Sequence, residues 1–147
     1  MEPIFRGLAS QACQKIDVHL VEDVRSFLFG HPAAGGFDLA ALNIQRGRDH
    51  GLPSYNAVRK AIGLKKLSSF SQVSSDVSVQ ERLARAYSSV DDIDLWVGGL
   101  AEDAIANSHL GMTFSTIIAE QFSALRDGDR YWYQRTLSAR EKRLRLL

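Results

Sequence analysis

The chain has 147 residues, 45% apolar and 24% charged, with a net charge of +1. That profile fits one globular domain with enough length to bury a core, and it excludes a global electrostatic pull toward nucleic acid or an anionic membrane. No run approaches the roughly 20 apolar residues of a membrane-spanning helix, and the single cysteine, Cys13, rules out an intrachain disulfide.

Residues 1–17 read as an irregular lead-in, and Met1–Gly7 carries no apolar signal core. The compartment stays unknown, with secretion open for a longer parent. Asp17 is an N-cap candidate for a helix marked by Val18, Val21, Val24, Arg25, Leu28 and Phe29, which Gly30 and Pro32 end. After the Ala33–Gly36 joint, Asp38 caps a second helix running to about His50. Pro53 suits the first position of a third, through Ala57, Val58 and Ile62, with Gly63 closing it. Ser68–Ser78 reads as a polar loop, and Ser78–Glu81 as a capping box for a helix to about Ser88. Asp91, Asp92 and Asp94 favour the start of a short helix through Leu95, Trp96 and Leu100, interrupted at Gly98–Gly99. Thr113–Arg126 is the strongest helical segment, with Phe114, Ile117, Ile118, Gln121, Phe122 and Leu125 on one stripe. A turn follows at Arg126–Arg130, and Ser138–Glu141 opens a last basic helix. No segment alternates with period two, so the expected fold class is all-α, with no internal repeat and no domain boundary.

The second helix is the unusual one. Leu39, Leu42, Asn43 and Arg46 stand at i, i+3, i+4 and i+7 and share a face. A stripe that begins apolar and then presents an amide and a guanidinium needs partners for both. It meets either another protein group, as a polar pair in a helical core, or an anionic ligand with an apolar body.

Leu42–Asn56, with its run Asn43-Ile44-Gln45-Arg46-Gly47-Arg48-Asp49-His50-Gly51-Leu52-Pro53, resembles the signature of the animal-type haem peroxidases. This is the peroxidase–cyclooxygenase superfamily. Arg6–Ala9, Ile93–Glu102 and Gln121–Tyr133 agree with it in order and spacing. The likeness covers residues 4–137, and residues 1–137 are expected to form a partial, mainly helical haem peroxidase domain, with 138–147 a basic C-terminal stub. The wording of the blocks looks more bacterial than mammalian.

The resemblance implies a buried b-type haem and oxidation of donors by hydrogen peroxide, with response to oxidative stress as the process. It puts Asn43 where the family has the Asn that holds the axial His, and Arg46 where an Arg meets a haem propionate. Leu39, Leu42, Leu28 and Phe29 match apolar contacts on the proximal side. The family's proximal His and its distal His and Arg lie upstream of the signature, so the chain is expected to lack them. It is expected to supply proximal support, with no catalytic residue and no iron ligand of its own. The isolated chain is then expected to be inactive and to retain haem poorly, half its pocket being missing. Implied partners are haem, peroxide and a small donor in the intact parent, and the missing N-terminal half; nucleic acid and membrane are not among them. The alternative is a non-catalytic helical remnant or interaction module from a split or truncated gene.

Other candidates read as structural. His31 stands in a loop beside Pro32, and His50 pairs with its helix end; His19 and His109 read as surface. Asp127-Gly128-Asp129 lacks the spacing of a calcium loop and reads as a turn paired with Arg126 and Arg130. Trp96, Tyr131, Trp132 and Tyr133 read as core anchors, and Cys13 has no neighbouring His to activate it.

Overall fold

The computed structural model describes residues 1–27 and 38–136. Among them the architecture is all-α, as the absence of period-two alternation predicts. The order is α1 (Glu2–Ser10), a π-helical turn (Asp23–Phe27), α2 (Leu39–Asp49), α3 (Tyr55–Ala61), α4 (Phe70–Val73), α5 (Val77–Ala86), a 3-10 turn (Val90–Asp92), α6 (Leu95–Ala101), α7 (Met112–Gly128) and α8 (Tyr133–Thr136). The extended backbone pairing among the described residues is one antiparallel bridge, Ser54 to Asp94.

The core lies where α3, α5 and α6 meet. Tyr55, Val73, Val79, Leu83, Val90, Ile93 and Ala101 are buried there, with Val18, Leu67, Phe70, Tyr87 and Val97 packed around them. Gly98 and Gly99 do not interrupt α6; they let it pack. A Cβ on Gly98 would enter the ring of Tyr55, and one on Gly99 the ring of Phe114. Gly63 closes α3 as expected, at φ +81°.

Several boundaries differ from the sequence reading, each for a local reason. The lead-in contains α1, with Pro3 in its first turn, although none of its residues is buried. Asp17 accepts from the His19 amide at 2.8 Å in a tight turn and does not cap a helix. Pro53 precedes the N-cap of α3, because Ser54 is drawn into the bridge and the Tyr55 amide donates to Ile93 O at 2.8 Å. The Ser-rich loop holds α4, and α5 is capped by Asp76 through the Ser78 amide at 2.8 Å, two residues before the expected box. The apolar stripe of α7 is largely open: Phe122 is 67% and Leu125 56% exposed. Tyr131 and Tyr133 are exposed as well and anchor no core. Arg126 pairs with Asp127 at 2.8 Å, as expected of that turn, whereas Arg130 stacks on the Tyr131 ring. Leu28, Phe29, His31 and the 138–147 segment lie outside the described residues.

Candidate functional site

Helix α2 starts where the sequence says it should. The Asp38 carboxylate accepts from the Ala41 amide at 3.1 Å, satisfying one of the free donors of the first turn. At the other end His50 closes the helix: its backbone amide donates to Arg46 O, and its ring Nδ1 stands 2.9 Å from the same carbonyl. His50 is thus partnered at its helix end, as expected. His19 and His109 are exposed.

A concavity of about 370 Å³ opens between α2 and the start of α6, lined by Asn43, Ile44, Arg46, Gly47, His50, Leu52 and, opposite, Asp94, Leu95 and Trp96. The structure therefore brings Asn43 and Arg46 into one hollow with an apolar floor. Leu39 and Leu42 are half-buried on the same helix but do not line it. Trp96 is half-buried, and it serves as a wall of this hollow. Among the described residues neither Asn43 nor Arg46 has a side-chain hydrogen bond or ion pair. An amide and a guanidinium beside apolar surface, both without a partner, can accept a proton donor and grip a carboxylate.

The wall opposite α2 is held by charge. Arg48 reaches across and grips Asp94 in a fork, Nε to Oδ1 at 2.9 Å and Nη2 to Oδ2 at 2.7 Å, while the Tyr87 hydroxyl donates to Oδ2 at 2.7 Å. The Arg48 hydrogen bond holds the Asp94 carboxyl below the usual carboxylate range, and the Tyr87 bond adds to it against partial burial. Asp94 in turn raises the Arg48 guanidinium. Burial, then the hydrogen bond to Asp94, pushes the Tyr87 phenol up to about 12. Unlike His50, which stays at its own helix end, Arg48 crosses to the start of α6.

Behind this wall lies a second polar set that the sequence reading did not identify as a unit. Glu102, at the end of α6, accepts from the Tyr55 hydroxyl, from Arg59 Nη1, from the Thr113 hydroxyl and, at 2.8 Å, from the Thr113 amide. Arg59 also donates to Thr113 Oγ1 and to Lys65 O, each at 2.9 Å. Burial, then the contact with Glu102, raises the Tyr55 phenol far above its ordinary value. Asn56, 1% exposed, is fully engaged: it donates to Leu67 O and Asp91 and accepts from the Leu67 amide. The one available signal was position, since Tyr55, Asn56 and Glu102 stand at the ends of the resembling blocks. No group of three or more His, Cys, Asp or Glu suited to a metal ion occurs among the described residues.

The family model for animal haem peroxidase matches residues 1–143. Peroxinectin A of Dictyostelium discoideum is 51% identical over 134 residues, which cover 91% of this chain and 25% of that protein. Chorion peroxidase of Drosophila melanogaster is 45% identical, covering 90% of this chain and 16% of its own length. Thyroid peroxidase of Mus musculus is 40% identical, covering 92% and 15% respectively. Among solved structures, peroxidase A from Dictyostelium discoideum superposes with a TM-score of 0.86 at 50% identity, over 92% of this chain and 26% of that one. Fatty acid alpha-dioxygenase of Oryza sativa superposes with a TM-score of 0.62 at 31% identity, over 66% of this chain and 16% of its own. The chain thus spans about a quarter or less of each relative named. These relatives give the expected bacterial wording no support.

Proposed function

This chain belongs to the animal haem peroxidase family, and on that premise we propose that α2 forms part of the proximal wall of a haem pocket in a peroxidase that oxidises small donors with hydrogen peroxide. The family implies haem. The residues present fit such a group on one observation: Asn43 and Arg46 line the same largely apolar hollow, each without a side-chain partner among the described residues. A porphyrin offers a matching surface, flat and apolar with carboxylates at its edge.

In this reading the Arg46 guanidinium grips a propionate in a charge-assisted pair. Asn43 Oδ1 would accept the ring N–H of a His that holds the group, fixing that ring's tautomer and orientation. Leu95, Trp96 and Leu52 exclude water from the edge, and Leu39 and Leu42 add apolar surface to the same helix beside the hollow. Bound haem, b-type in this proposal, supplies the redox chemistry with peroxide. In this proposal the His that Asn43 would hold and the distal proton-transfer groups would be supplied from outside this segment. These residues then orient and anchor, and they transfer no proton themselves.

The test is a hemin titration of the purified chain with imidazole supplied as the axial base, followed by the Soret band. Weak, saturable uptake that both Asn43→Ala and Arg46→Ala reduce is the expected result. Absorption like that of free hemin–imidazole, indifferent to both substitutions, contradicts the assignment.

A further inference from the structure

We propose that Arg48, Asp94 and Tyr87 form a positioning clamp that sets the rotation of α2 about its own axis and thereby aims Asn43 and Arg46 into the hollow. The inference rests on the haem-facing reading of α2 given above and extends it to residues that touch no ligand.

The geometry carries the argument. At about 100° per residue, Arg48 lies roughly 140° around the helix from Asn43 and roughly 200° from Arg46. Anchor and recognition groups therefore occupy opposite sides of one cylinder, and fixing one side fixes the other. The anchor is a two-point fork and not a point charge, so it resists rotation as well as separation. Asp94 is itself immobilised. Its side chain is 17% exposed, Tyr87 occupies one of its oxygens, and its backbone is bridged to Ser54 beside the core. Asp94 makes no side-chain cap to α6, so its carboxylate is committed to α2 and Tyr87. Asp94 also lines the same hollow as Asn43 and Arg46, so the carboxylate that anchors α2 stands on the wall that its recognition groups face.

Arg48 is 65% exposed, and an exposed ion pair adds little to global stability. A melting curve at neutral pH is therefore a weak readout of the clamp; orientation is the direct one. Protoporphyrin IX, iron-free and carrying the two carboxylates, is titrated by its fluorescence against the wild-type chain, Arg46→Ala, Arg48→Ala and the double variant. Arg48→Ala is expected to weaken binding several-fold on its own and to add nothing in the Arg46→Ala background, because it acts through Arg46. Arg48→Lys, which keeps the charge and loses the fork, is expected to restore only part of the affinity. In parallel, hydrogen exchange in Arg48→Ala is expected to speed up in α2 and stay unchanged in α7. An equal loss of affinity in both backgrounds, or unchanged α2 exchange, overturns the clamp. If wild type and Arg46→Ala bind porphyrin alike, the haem-facing reading fails, and the exchange of α2 alone then upholds or overturns the clamp.

Discussion

Two asparagines thirteen residues apart summarise two different kinds of polar chemistry in this chain. Asn56 is buried and makes three hydrogen bonds, to Leu67 twice and to Asp91 once. Asn43 is half-buried at the edge of a hollow and makes none among the described residues. The same contrast separates two arginines. Arg59 is locked to Glu102, Thr113 and Lys65 in the interior, whereas Arg46 faces open space. Where every partner is internal, polar groups hold the fold together. Where no partner stands among the described residues, the polar groups face the hollow instead.

Breaking the internal set should have the largest effect. Glu102→Ala removes the acceptor shared by Tyr55, Arg59 and Thr113 and leaves a buried cation uncompensated, which costs about 3–5 kcal/mol. Urea unfolding followed by circular dichroism measures it. Gly98→Ala comes next: the added methyl meets the Tyr55 ring, and overpacking of this kind costs about 1–3 kcal/mol, read in the same unfolding curves.

Smaller still is the response to pH, which has two arms. The Asp94 carboxyl is lowered in the folded chain relative to an unfolded value of about 3.9. Its contribution is present above that value and is lost as pH falls through the folded one. The Tyr87 phenol is raised to about 12, so its contribution is full below an unfolded value of about 10 and is lost as pH rises toward 12. Melting temperature plotted against pH should therefore fall at both extremes, and Arg48→Ala should flatten the acid arm. The smallest expected effect belongs to the open face. Arg46→Ala and Asn43→Ala remove no side-chain partner among the described residues, so each should change stability by less than about 0.5 kcal/mol. A loss comparable to that of Glu102→Ala would erase the distinction between the two regions.

The sequence made α2 legible because an N-cap, a helical stripe and a C-terminal turn all lie within its own residues. Asp38, Asn43, Arg46 and His50 stand where that pattern puts them. The Glu102 set was not legible, because its members come from three helices and are brought together only by packing, which periodicity cannot report. The same holds for Arg48, whose partner is 46 residues away. The stripe of α7 misled in the opposite way. Phe114 meets α6 across Gly99, but Phe122 and Leu125, further along the stripe, stay exposed. An amphipathic pattern specifies a face to bury; it does not say which chain segment does the burying.

The decisive comparison is between stability and ligand affinity in one variant. Arg46→Ala should melt like the wild-type chain yet bind protoporphyrin IX roughly tenfold more weakly, the lower end of what a charge-assisted pair contributes. Equal affinity in the two proteins would mean that the open face of α2 recognises no porphyrin carboxylate.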